Sequence, residues 1–218
     1  MMSQRTEDLL GKGLLVFTFT LLAYQQALSF ARTILAADRP DFWWLDILSR
    51  TLTLLFVAIV VVMTIRRLPA RATAAGLEPR ITAIAGTFTL MLLAFLPHGD
   101  AGVAAQFVAT VLIAIGTALS IHCLRYLGRS FSVMATAREL VTGGPYARVR
   151  HPLYVAEAIT TIGIVILHWS IGAVALGLIQ ALLQFRRMQN EEAVLRAAFP
   201  EYASYAARVP MIIPRLAI

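Results

Sequence analysis

Arg148, Arg150 and His151 stand directly before Pro152, with Tyr146 and Tyr154 on either side and Gly143-Gly144-Pro145 just upstream. Cations, an imidazole and two phenols are thus gathered within a dozen residues, between long apolar stretches. Pro152 suits the first position of a helix, where its missing N–H costs nothing. A helix opening there offers free N–H groups and the positive end of its dipole. Such an end, flanked by arginines, binds a carboxylate or a phosphate. Arginines at a membrane edge also reach for lipid headgroups, and the twelve residues alone do not choose between the two roles.

Glu191 and Glu192 follow the last apolar stretch by a few residues. Neighbours on a helix point about 100° apart, so the pair should face different partners. One would meet a cation or a ligand, and the other an arginine such as Arg187 or Arg196. A carboxylate near an interface can take an amine, a ribose hydroxyl pair or a sulfonium; a solvated helix face is the plainer alternative. Glu139 and Glu157 are acids that could serve as a base, and Glu157 could equally pair with an arginine. The single cysteine, Cys123, excludes an intrachain disulfide. His122 has no companion ligands in its neighbourhood, and no metal is expected.

These residues must be held by membrane helices. The chain of 218 residues is 59% hydrophobic and 14% charged, with a mean hydropathy of +0.74. Soluble domains carry about 25% charged residues, so lipid is the expected solvent. The net charge is +7, yet the bases flank apolar spans. That is the positive-inside pattern, not a nucleic-acid surface.

Apolar runs of roughly 20 residues predict spans: 13–31, 43–65, 81–97 and 103–122. The charge-free run 158–185 is too long for one crossing. It reads as a helical hairpin, 153–167 and 172–185, turning at His168-Trp169-Ser170-Ile171-Gly172. Turns are expected at 36–41 and 98–102, and a separate helix at 188–198 after the last span. The fold class predicted is all-α: a polytopic transmembrane helical bundle of about six spans, the last two a hairpin, with a C-terminal helical segment. It forms one membrane domain, 1–218, with N-terminal spans in 1–122 and a core in 123–218. The N-terminus lacks the pattern of a cleaved signal peptide. Arg66, Arg67, Arg71 and Arg80, and later Arg125 to Arg150, mark the loops expected in the cytoplasm, with both termini and the site.

The ordered set Leu127-Gly128-Arg129, Leu140 to Tyr146, Val149-Arg150-His151-Pro152-Leu153-Tyr154, Glu191-Glu192 and Phe199-Pro200-Glu201-Tyr202 with Tyr205 resembles the isoprenylcysteine carboxyl methyltransferases and their relatives, the membrane phospholipid methyltransferases. The resemblance covers 124–214. It implies a methyltransferase that uses S-adenosylmethionine on a lipid or lipidated acceptor entering from the bilayer. It also implies that Arg150, His151, Pro152, Tyr154, Glu191 and Glu192 hold the cofactor, with Tyr146, Tyr202 and Tyr205 lining the pocket. Arg150, Glu157 and Glu192 are the residues expected to act in catalysis. Ala156 stands where many members carry glycine. The acceptor stays open between a prenylcysteine-type carboxylate and a phospholipid amine. Two other readings remain beside it: an NADPH-dependent membrane reductase of the sterol type, and a small transporter or assembly subunit.

Overall fold

The computed structural model describes residues 4–35, 42–96 and 101–214, with side chains from residue 12 onward. The expected turns at 36–41 and at 98–100 lie outside the described residues. Seven α-helices occur among them: α1 (Gln4–Leu35), α2 (Trp43–Arg66), α3 (Glu78–Phe88), α4 (Val103–Leu127), α5 (Pro152–Leu167), α6 (Ile171–Ala198) and α7 (Tyr202–Arg208). Four segments are long and apolar enough to cross a membrane: Lys12–Leu35, Trp43–Arg66, Val103–Ser130 and Ile171–Ala198. The helix Pro152–Leu167 is a shorter apolar one. The chain is a polytopic membrane protein.

Three expectations need correction. The run 81–97 is not one helix. It is α3 followed by a 3-10 segment, Thr89–Phe95. Thr87 and Thr89 turn their hydroxyls back onto the carbonyls of Ala83 (2.7 Å) and Ala85 (2.6 Å), and such back-bonding bends helices. Of the about six spans expected, the described residues hold four helices long and apolar enough to cross a membrane, with α5 a shorter one. Second, the last span and the helix after it are one helix. Arg186 and Arg187 mark a change of solvent, but the backbone ladder continues through them to Ala198. Third, the fold is not purely helical. A two-residue antiparallel pair joins β1 (Ala72–Thr73) to β2 (Thr136–Ala137), tying the α2–α3 loop to the α4–α5 loop.

The helices form a ring. α1 packs on α2, α2 on α4, α4 on α5, α5 on α6, and α6 on α3 and its 3-10 extension. The Phe19 and Phe88 rings, 6.4 Å apart, bridge α1 and α3. The α4–α5 pair is the tightest. A Cβ on Gly116 would lie 2.7 Å from the Thr160 nitrogen and 2.8 Å from the Ala156 carbonyl. Small residues let backbones meet in this way where lipid provides no hydrophobic drive. Ala156 is buried in this seam.

Candidate active site

The predicted hairpin is present, and its turn positions the site. Ser170 caps α6 by accepting from the Ala173 amide (3.1 Å), so α5 and α6 run antiparallel. Pro152 opens α5 as its first residue. Facing positions on the two helices are polar at helical spacing. On α6 these are Gln180, Gln184, Arg187 and Glu191; on α5 they are Tyr154, Glu157 and Thr161. Positions i, i+4, i+7 and i+11 share one helix face.

A cavity of about 400 Å³ lies between them, inside the ring. Tyr146, Arg150, His151, Tyr154, Glu157, Glu191, Tyr202 and Tyr205 all line it. Eight of the ten residues singled out from sequence therefore line one cavity. Pro152 and Glu192 do not reach its wall.

Glu192 sits behind it. One of its carboxylate oxygens, Oε1, accepts from Arg150 Nε and Nη2 (both 2.7 Å) and lies 3.3 Å from His151 Nε2. Oε2 accepts from Arg196 (3.2 Å). Arg150 also donates through Nη1 to the carbonyls of Ala206 (2.9 Å) and Val209 (2.7 Å). Four of its five N–H donors are thus spent on the protein. Its backbone and that of His151 donate to Pro210 (2.9 Å) and Met211 (3.1 Å). Arg150 and Glu192 together strap the segment after α6 across the polar end of the cavity. Arg148 is exposed and takes no part.

Glu191, a helical step away, turns to the cavity and accepts from the Tyr154 hydroxyl. The different partners expected for adjacent helix positions are what the two glutamates have. Tyr205 donates to the Tyr146 carbonyl (2.7 Å), fixing α7 against the turn before α5. That turn needs Gly144: its φ is +60°, and the Tyr126 ring occupies the space of a Cβ. Burial pushes the phenols of Tyr146 and Tyr202 well up, and that of Tyr205 up to about 12. All three stay neutral and able to donate at physiological pH.

Farther in, Gln184 donates to Glu157 (2.6 Å) and accepts from Arg187 (2.9 Å). Arg187 also lies over the Tyr154 ring, 5.4 Å from its centroid. The two glutamines passed unnoticed in the sequence. Their spacing with Arg187 and Glu191 on one face of a span was the signal that could have found them. Among the described residues, the buried side-chain atoms without a protein hydrogen-bond partner include five on residues that line the cavity: Ser132 Oγ, Tyr146 OH, Gln180 Oε1, Arg187 Nε and Tyr202 OH. Buried polar atoms are almost always paired, so such a cluster offers hydrogen-bonding capacity to waters or to a polar ligand.

Residues 104–202 match the family model described as phospholipid methyltransferase. The match covers a little under half of the chain. It holds α5, α6, and all of the wall residues named above except Tyr205. The chain is 41% identical over 80 residues to the cobalt-zinc-cadmium resistance protein CzcN of Cupriavidus metallidurans, covering 36% of this chain and 37% of the relative. It is 41% identical over 81 residues to the nickel-cobalt-cadmium resistance protein NccN of Alcaligenes xylosoxydans xylosoxydans, covering 37% and 38%. The matched region thus spans little more than a third of either relative.

Proposed function

We propose that the chain is an integral membrane methyltransferase that takes its methyl group from S-adenosylmethionine and gives it to a lipophilic acceptor. The observation that carries this reading is the wall itself. A polar end with unpartnered hydroxyls and a carboxylate continues into an apolar end within one cavity. The residues there fit the donor. Glu191 suits its ammonium or ribose hydroxyls, and the Tyr146 and Tyr202 hydroxyls suit its remaining polar atoms. His151 and the one Arg150 donor left over suit its carboxylate.

When bound, the group supplies an electrophilic methyl on a sulfonium. The chain's part is to hold the two reactants in line, which removes much of the entropic barrier. The strap fastened by Arg150 and Glu192 would keep water from the polar end, and low water strengthens the electrostatics inside. Glu157 is the group in place to hold a proton from an acceptor that must lose one. For a carboxylate acceptor, Arg187 is the orienting group instead. Arg66, Arg67, Arg129 and Arg186 lie toward the polar end of the bundle, which supports a cytoplasmic mouth.

Binding of S-adenosylmethionine and S-adenosylhomocysteine to the purified chain tests the proposal, with NADPH as the competing ligand. Glu191→Ala and Tyr146→Phe should each weaken S-adenosylhomocysteine binding at least several-fold. Stabilisation by NADPH alone would overturn the reading. Radiolabelled methyl transfer into a lipid extract then identifies the acceptor class. The metal-resistance names of the relatives offer a physiological setting for that assay.

A further inference from the structure

We infer that Gln180 reads a neutral N–H or O–H on the acceptor, about one helical turn from the group that takes the methyl. This rests on the methyltransferase reading above, and it gives the acceptor a second polar group besides its head. Gln180 is 6% exposed, belongs to a helix long and apolar enough to cross a membrane, and lines the cavity.

One half of its amide has a structural task. Nε2 donates to the Gly86 carbonyl (2.7 Å). That carbonyl is spare for a local reason. At Thr89 the ladder of α3 gives way to 3-10, its hydrogen bonds step from i−4 to i−3, and a carbonyl at the junction is left over. Gly86 also lets α3 come close: a Cβ there would lie 2.8 Å from Arg187 Cδ and 3.4 Å from Gln184 Oε1. A carbonyl oxygen only accepts, so the atom of Gln180 that meets it is the NH₂, and the amide has one orientation. Oε1 is then an acceptor, and it has no partner in the protein.

The hydroxyls around it are committed. Gln184 and Glu157 are bonded (2.6 Å) across antiparallel helices, so Thr161, one turn on from Glu157, lies opposite Gln180. Its hydroxyl donates to the Glu157 carbonyl (2.9 Å), and that of Thr160 to the Ala156 carbonyl (3.3 Å). Thr87, next to Gly86, gives its proton to Ala83 (2.7 Å). Each hydroxyl has one proton to give, so Oε1 stands among donors already spent, at a depth where lipid supplies none. A ligand N–H or O–H completes the set, whereas an ether or carbonyl oxygen there would face acceptors. Gln180 is four residues from Gln184, about 6 Å along α6. Gln184 holds Glu157, the group that faces the acceptor's head in the reading above.

The test uses the full chain in nanodiscs and pairs of probes that differ in the donor alone. N-(3-dimethylaminopropyl)dodecanamide is set against its ester, 3-dimethylaminopropyl dodecanoate. For the opposite head charge, 4-(dodecanoylamino)butanoate is set against 4-(dodecanoyloxy)butanoate. A hydroxyl is tested with 4-hydroxyhexadecyldimethylamine against hexadecyldimethylamine. Three methylenes separate head from donor in each, close to one helical turn. Binding is read by displacement of a nitroxide-labelled alkyl chain, and S-adenosylhomocysteine binding by calorimetry. In at least one pair the donor-bearing probe should bind wild type at least about fivefold tighter, since its partner leaves a buried acceptor unpaired; the pair that responds tells N–H from O–H. Gln180→Met should bring the preference within about twofold. Gln180→Glu keeps an acceptor oxygen in either protonation state and should keep the preference. Comparing ratios within pairs across variants cancels membrane partition and any general loss of structure. Equal binding within every pair in wild type, as a water held on Oε1 predicts, overturns the inference whether or not the variants fold. A preference that survives Gln180→Met, or one lost in a Gln180→Glu chain that still binds S-adenosylhomocysteine, also overturns it. Failure of wild type to bind S-adenosylhomocysteine sinks the methyltransferase reading instead, and the paired ratios still decide the role of Gln180.

Discussion

Glu192→Gln separates a residue that builds the site from one that reacts in it. The glutamate is 8% exposed and neutralises Arg150 while also holding Arg196. Glutamine keeps the shape and one acceptor oxygen, so the Arg150 bonds persist without their charge assistance. The second carboxylate oxygen becomes an NH₂ aimed at Arg196, a donor facing a donor. Removing one partner of a buried pair outright costs about 3–5 kcal/mol. Loss of charge assistance with most geometry kept should cost about 2–3 kcal/mol, since hydrogen bonds to charged groups are worth about 1.5–3 kcal/mol. For a chain of this length that lowers the unfolding midpoint by roughly 5–10 °C. Thermal unfolding in one detergent, with and without S-adenosylhomocysteine, measures it. Radiolabelled methyl transfer should show a raised cofactor KM, because the strap loosens, and a kcat within about tenfold of wild type. An unfolding midpoint unchanged beside a kcat reduced a thousandfold would refute this reasoning. Glu192 would then act on the reacting atoms and not through Arg150.

Other predictions are shorter. Tyr154→Phe deletes the donor to Glu191 and should raise the S-adenosylhomocysteine Kd about 10–150-fold, given about 1.5–3 kcal/mol for a charge-assisted bond; calorimetry reads it. Gly116→Val drives a side chain into the Thr160 and Ala156 backbone and should lower stability by about 1–3 kcal/mol or more, seen as loss of monodisperse protein on size exclusion. Gln184→Leu frees Glu157 and Arg187 from each other's bridge and should shift the pH profile of methyl transfer while leaving S-adenosylhomocysteine binding near wild type. For Tyr205 the folded pKa is raised to about 12 by burial, above about 10 for the unfolded chain. Its contribution to stability is therefore whole below about pH 10 and is lost as pH rises toward 12. Tyr205→Phe should flatten that part of an alkaline unfolding series.

The site was more legible than the fold that holds it. Residues near each other in sequence, such as Tyr146 to Tyr154, announced themselves through type and spacing. Glu191 could be joined to them because a hairpin returns the chain to its starting face, and the turn at His168–Ser170 was readable from length alone. What could not be read depended on distant partners. Gln180 and Gln184 look like ordinary span amides until Gly86 and Glu157 meet them (2.7 and 2.6 Å). The β1–β2 pair joins residues with no strand pattern of their own. The break at Thr89 comes from two threonine hydroxyls competing for helix carbonyls, and an apolar window average smooths over it. The matched segment, 104–202, holds most of the residues that sequence reading singled out and the cavity brings together. There each polar residue inside a span needs a reason, because lipid gives it no partner.

That need explains why α6 is one helix. A break at Arg186–Arg187 would let Glu191 and Glu192 turn independently of Gln184 and Gln180. As a single helix, α6 holds Gln180, Gln184, Arg187 and Glu191 in one register. Arg187 is the hinge of that logic. It touches Gln184 on one side (2.9 Å), the Val133 carbonyl on another (3.0 Å) and the Tyr154 ring on a third. The proposed transfer, from a soluble donor to a membrane-bound acceptor, would require the two sites to keep a fixed distance while one partner comes from water and the other from lipid. A helix that crosses from one solvent to the other without a break meets that requirement, and two helices joined by a loop at the interface do not.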